Sequence, residues 1–155
     1  MKNLTCCFTG HRHLSISNEI LSVKLEKQIS YLIEQGIIYY GTGGALGFDT
    51  IAALTIIKLR SQYPSIKLIL VLPCKEQTWG WSSSDISVYN YILSCNFVNK
   101  NHEKSTKRFT KYHCAVKKGY ESPIRKNAMS SFENMALIAV TFQPAQNRIR
   151  FTERA

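Results

Sequence analysis

The sequence predicts an α/β fold: a parallel sheet flanked by helices, formed as one domain. Three observations predict it. Short apolar runs of strand character alternate with segments of helical periodicity, the pattern of a sheet covered on both faces. The 155 residues suit a single core, enough to bury roughly 70% of the extended chain's surface. Hydrophobic residues make up 45% and charged residues 19% of the chain, which is the composition of a globular domain and not of a disordered one.

The first strand-like run is Leu4 to Thr9. It is followed by Leu21, Leu25, Ile29, Leu32 and Ile33 at helical spacing, with Ser17 or Asn18 placed to cap the helix and Gly36 to stop it. The second run is Ile37 to Tyr40. Next come four glycines within seven positions, Gly41, Gly43, Gly44 and Gly47. Ile51 to Leu59 forms a helix that is apolar nearly all round and ends before Tyr63 and Pro64, so it is expected to lie deep against the sheet. The third run is Ile66 to Leu72. Ser82 to Leu93 is a shorter amphipathic helix carrying Ile86, Tyr89 and Leu93, and Asn96 to Asn99 a short fourth run. "KNHEKSTKRFTK", residues 100 to 111, is polar and basic and reads as a connection. The last apolar run is Ala136 to Phe142.

Charge and cysteine usage bound the function classes. Net charge is +10 and unevenly spread: residues 1 to 99 hold 8 Lys/Arg against 6 Asp/Glu, residues 100 to 155 hold 12 against 4. A basic terminal third favours an anionic partner, a phosphorylated small molecule or nucleic acid. No apolar run approaches the roughly 20 residues that span a bilayer, and the N-terminus lacks the layout of a signal peptide. The expectation is a cytoplasmic protein without membrane contact. The five cysteines (Cys6, Cys7, Cys74, Cys95, Cys114) form no CxxC pair; they read as buried free thiols, with no metal site.

Three loops that follow strand-like runs carry the candidate ligand contacts, because ligands of open α/β sheets bind at the carboxyl ends of strands. In "FTGHRH" these are Thr9, Gly10, His11 and Arg12: the glycine lets a ligand approach the backbone and the arginine pairs with an anion. In "YYGTGGALGFDT" they are Gly43, Gly44, Ala45, Gly47 and Asp49. The glycines make room, the following helix offers N–H groups to an anion, and Asp49 either caps that helix or bonds a ribose hydroxyl. The spacing departs from GxGxxG, since Leu46 occupies the third glycine position and the segment follows the second strand. In "LPCKEQTWGWS", Gln77, Trp79 and Trp81 offer hydrogen-bonding and stacking groups, and Glu76 is a lone carboxylate. Further along, Ser122, Arg125 and Asn127 have the donor types that grip phosphate.

Four blocks in consistent order, "CCFTGHR", "GGALGFDTIAAL", "YPSIKLILVLPC" with "QTW", and "RKNAM" before "ALIAV", resemble the YpsA-like branch of the SLOG superfamily. That superfamily also includes the Lonely Guy phosphoribohydrolases, the DNA-processing protein DprA and ligand-sensing domains of bacterial antiviral defence systems. The resemblance covers residues 4 to 142 and implies a modified Rossmann fold that binds nucleotides or nucleotide-derived molecules such as ADP-ribose derivatives. It implies a binding domain over 1–142 with a short basic tail over 143–155, a pocket lined by Gly10, Arg12, Gly43, Gly44, Gly47 and Asp49, an Arg–Asn pair at Arg125 and Asn127, and a homodimer.

Two departures bear on mechanism. The glutamate-bearing PGGxGTxxE segment of the Lonely Guy enzymes is absent, and after the last apolar run the chain reads "TFQPAQNRIRFTERA" where the branch continues into a Gly-Gly-Thr turn and a helix. The expectation is therefore a sensor or sequestering protein that binds a signalling nucleotide such as ADP-ribose or cyclic ADP-ribose without turnover and without a cofactor. One alternative is a nucleotide N-glycosidase or phosphoribohydrolase-like enzyme using Asp49 or Glu76. The other is a DprA-like nucleic-acid binder working through the basic terminal third.

Overall fold

The computed structural model describes residues 5–72, 76–95, 138–143 and 148–153, and in the last two stretches the side chains of Val140, Ile149 and Arg150. Five strands and three helices follow in the order β1 (Thr5–Thr9), α1 (Asn18–Glu34), β2 (Tyr39–Thr42), α2 (Phe48–Leu59), β3 (Lys67–Leu70), α3 (Ser83–Cys95), β4 (Ile138–Gln143) and β5 (Arg148–Glu153). They build one sheet of order β3-β2-β1-β4-β5. The first four strands in that order are parallel, as expected. Register is level across their carboxyl ends, Phe8 opposite Thr42, Thr42 opposite Leu70, and Thr9 opposite Thr141.

β1 sits near the centre because its sequence suits burial on both faces. Cys6, Cys7 and Phe8 are successive residues, pointing to alternate faces, and all are fully buried. Desolvation holds the Cys6 thiol well above the usual cysteine range, with Cys7 adding to the effect, so Cys6 is an inert core group. Cys7 is likewise a buried thiol and Cys95 a half-buried one, neither of them in a disulfide; Cys74 and Cys114 lie outside the described residues. Tyr40 on β2 stacks on Phe8 with ring centroids 6.2 Å apart and donates its hydroxyl to Ile37 O at 3.1 Å.

α1 begins where the periodicity predicts it, and of the two caps offered by the sequence Ser17 is the one used: its hydroxyl accepts from Ile20 N at 3.4 Å. Leu21, Leu25, Ile29 and Leu32 form the buried stripe, each contributing about 1.5–3 kcal/mol. α2 packs against β1, β2 and β3 and touches α1 and α3. That central position requires its apolar girdle of Phe48, Ala52, Ala53, Ile56 and Leu59, all buried. One ion pair, Lys58 with Glu26, ties α2 to α1.

Element boundaries differ from the sequence reading at several points; α2, for one, begins at Phe48 and not at Ile51. β2 runs two residues further, through Gly41 and Thr42, because these pair with β1 and β3 on both sides; the glycine segment thus begins inside the sheet. β3 is limited to Lys67–Leu70. The segment read as a tail after residue 142 contains β5, antiparallel to β4 with Val140 opposite Phe151, so the sheet is mixed. The cause is the alternation in "RIRFTE", basic or polar at every second position around Ile149 and Phe151, which has the two-residue period of a strand; the four residues "PAQN" between β4 and β5 match a hairpin connection in length. The expected run Asn96 to Asn99 lies outside the described residues.

Candidate functional site

Parallel pairing places the loops after β1, β2 and β3 along one edge of the sheet. The loop after β1 carries Gly10, His11 and Arg12; the loop after β2 is Gly43–Gly47; the turn before α3 carries Glu76–Trp81. Two contacts weld the first loop to the second. Phe48 N donates to His11 O at 3.2 Å. Gly47, with φ 83° and ψ −123°, lies so close that a Cβ on it would stand 2.2 Å from Arg12 O and 2.6 Å from His11 O. The glycine at this helix cap is thus dictated by its backbone conformation and by the loop beside it. Gly10 has a packing role as well, since a Cβ there would fall 2.5 Å from the Phe48 ring.

Several polar groups of the loop after β2 bond within the loop and to the first turn of α2. Asp49, buried in the first turn of α2, accepts from Ala45 N through Oδ2 at 3.4 Å, and Thr50 Oγ1 donates to Ala45 O at 2.9 Å. Thr42 Oγ1 donates to Asp49 O at 3.4 Å. A carboxylate in the first helical turn also complements the helix dipole. The Asp49 carboxylate thus braces the loop at Ala45 N, while the helix cap at Gly47 receives no side-chain hydrogen bond.

The third wall comes from the β3–α3 segment. Gln77 Nε2 donates to Gly43 O at 3.0 Å. A Cβ on Gly44 would meet Leu72 at 3.1 Å, Tyr89 at 3.5 Å and Gln77 Nε2 at 3.7 Å. Tyr89 in turn meets Trp81 edge to face, centroids 5.5 Å apart, and the Arg12 guanidinium lies over the Trp81 ring, 5.8 Å from its centroid. Arg12, Trp81, Tyr89, Gly44 and Gln77 therefore form one connected wall at the strand ends. A cation on an exposed aromatic face is held by only about 0.5–1 kcal/mol, so Arg12, itself exposed, can turn to an incoming anion.

Of the residues singled out from the sequence, Thr9, Gly10, His11, Arg12, Gly43, Gly44, Ala45, Gly47, Asp49 and Gln77 share this edge. Trp79 lies on the same turn with 74% of its surface exposed, whereas Trp81 is the indole that meets Arg12. Glu76 is exposed. Arg125 and Asn127 lie outside the described residues. Sequence reading assigns Tyr89 to the apolar stripe of a helix; no signal in spacing marks it as the neighbour of the second-loop glycine. Among the described residues, no three of His, Cys, Asp and Glu stand close enough to hold a metal ion, and no helix is long and apolar enough to cross a membrane. An open groove of about 310 Å³ lies between α1 and α2, lined by residues such as Ser22, Leu54 and Lys58. It belongs to the helix pair and not to the wall at the strand ends.

Comparison with known proteins places this architecture. The chain is similar to a UPF0398 protein of Halalkalibacterium halodurans, 33% identical over 91 residues, which is 58% of this chain and 47% of that relative. It is also similar to UPF0398 proteins of Bacillus thuringiensis strain Al Hakam and Bacillus cereus strain AH187, each 28% identical over 125 residues, 79% of this chain and 61% of the relative. The chain thus spans about half to three-fifths of the length of these relatives. Residues 6–129, which hold all three loops of the site, match the family model YpsA, and the chain belongs to the YspA SLOG family.

Proposed function

We propose that the protein binds a phosphorylated, nucleotide-derived small molecule at the carboxyl ends of β1, β2 and β3, as a sensor or sequestering protein without turnover. The observation that carries this reading is the Arg12 guanidinium resting on Trp81 beside the Gly43–Gly44 ledge. It combines a cation for phosphate with aromatic surface for a base or ribose. Membership of the family supports binding of a small ligand. The absence of turnover is supported by the engagement of the Asp49 carboxylate with Ala45 N in its own loop.

Calorimetric titration with ADP-ribose, cyclic ADP-ribose isomers and mononucleotides tests the proposal. Saturable binding of at least one of these is expected, together with recovery of the ligand intact after prolonged incubation. Arg12→Ala is expected to weaken that binding roughly tenfold to a hundredfold, the range for a hydrogen bond to a charged group. No binding at millimolar ligand would overturn the proposal; cleavage of the ligand would replace it by the glycosidase reading.

A further inference from the structure

The turn before α3 contains a polar atom that the fold buries and leaves unused. Gln77 is anchored through its amide nitrogen, which donates to Gly43 O at 3.0 Å. Its carbonyl oxygen, Oε1, is shielded from solvent and has no hydrogen-bond partner among the described residues. Exchanging the two amide atoms gives no relief, because Oε1 would then face the Gly43 carbonyl, acceptor against acceptor. The anchor therefore fixes the direction of the free acceptor. An unpaired buried acceptor costs about 1–3 kcal/mol, and native folds keep few of them without a reason. The Gln77 amide nitrogen lies 3.7 Å from the position a Cβ would take on Gly44, which Leu72 and Tyr89 also border, in the same wall as Arg12 and Trp81.

We infer that Gln77 Oε1 is a recognition acceptor: it receives a hydrogen bond from an O–H or N–H donor of the bound molecule while Arg12 holds the phosphate. The inference rests on the nucleotide-ligand reading above and deepens it by naming a residue that selects the ligand. In an adenine nucleotide the donor is either a ribose hydroxyl or the exocyclic amino group; both satisfy the same oxygen, and analogues tell them apart. A site built around a buried acceptor rejects a ligand that lacks the matching donor, because the acceptor then stays unpaired.

The test titrates ADP-ribose and three analogues, in which the adenosine is replaced by 2′-deoxyadenosine, by 3′-deoxyadenosine or by inosine, against the wild type and Gln77→Met. One analogue is expected to bind the wild type roughly tenfold more weakly than ADP-ribose, the size of one hydrogen bond. That gap should vanish in Gln77→Met, which has no amide acceptor. Wild-type binding of ADP-ribose with no gap for any analogue overturns the inference and leaves the nucleotide reading standing. A gap of equal size in Gln77→Met overturns it too. If the wild type binds mononucleotides but not ADP-ribose, the selection of an ADP-ribose donor by Gln77 is wrong and the broader reading remains.

Discussion

The loops after β2 and β3 stand side by side at the strand ends and divide the work in the opposite way to their composition. The glycine-rich loop, Gly43 to Gly47, looks like a phosphate cradle, yet several of its polar groups are already engaged: Ala45 N and O bond to Asp49 and Thr50, Gly43 O to Gln77, and Phe48 N, just beyond it, to His11 O. The neighbouring turn has one glycine, Gly80, but presents a buried acceptor with no partner and an indole under the Arg12 guanidinium. Glycine here serves close packing between protein segments. The unpartnered acceptor and the indole under Arg12 belong to side chains of the opposite turn.

The comparison breaks first at Gly47. Replacing it by alanine adds an atom 2.2 Å from a backbone oxygen that cannot move aside, at a φ of 83°. The strain of a left-handed conformation and the overlap together are expected to cost about 3 kcal/mol or more, read as a lowered midpoint in urea unfolding. A loss below about 1 kcal/mol would mean that the first two loops are not clamped together. Next in size is Gly10→Ala, where the obstacle is the Phe48 side chain at 2.5 Å and the backbone is not at positive φ. About 1–3 kcal/mol is expected. In a Phe48→Leu background the same change should cost less, and equal costs in both backgrounds would remove Phe48 as the reason for this glycine. Gly36→Ala is the matched control: φ is +86°, but nothing lies within 4 Å of the new Cβ. It should cost about 1 kcal/mol, the conformational share alone.

The same contrast explains what was legible in the sequence. The 3.6-residue stripe from Leu21 to Leu32 and the consecutive apolar residues of β1 gave α1 and the first strand directly, because burial imposes those periods. The edge was legible as a place, since strand-end loops follow from parallel order. Roles within it were not. Gly10 and Gly47 read as room for a ligand, whereas Phe48 and the Arg12 backbone fill that room; such contacts join residues some 35 positions apart and leave no local pattern. Trp79 and Trp81 are chemically equal in the sequence, and only the turn geometry separates an exposed indole from one beneath an arginine. β5 was missed because two arginines in six residues outweighed the alternation around Ile149 and Phe151.

Asp49→Asn tests at smaller cost whether the carboxylate serves the loop or the ligand. An asparagine oxygen can still accept from Ala45 N, and loss of the negative charge beside the helix N-terminus is expected to cost about 0.5 kcal/mol. Ligand affinity should change little, measured by calorimetry on the folded variant. A loss of tenfold or more with stability intact would move the carboxylate from the loop's interior to the ligand.

The smallest effect is expected at Trp79→Ser. An indole 74% exposed on a turn contributes within about 0.5 kcal/mol to stability, and unfolding curves of the variant and the wild type should superimpose. Ligand affinity should be equally unmoved, while Trp81→Ser, which removes the surface under Arg12 and the edge-to-face partner of Tyr89, should weaken it. Fluorescence gives an independent reading. With Trp79 removed, the remaining emission comes from Trp81, and an anion that draws the Arg12 guanidinium off the ring must change it. A titration in which Trp79→Ser retains full affinity but shows no change in Trp81 emission would mean that Arg12 stays on the indole when the ligand binds, and that the phosphate is held elsewhere along the strand ends.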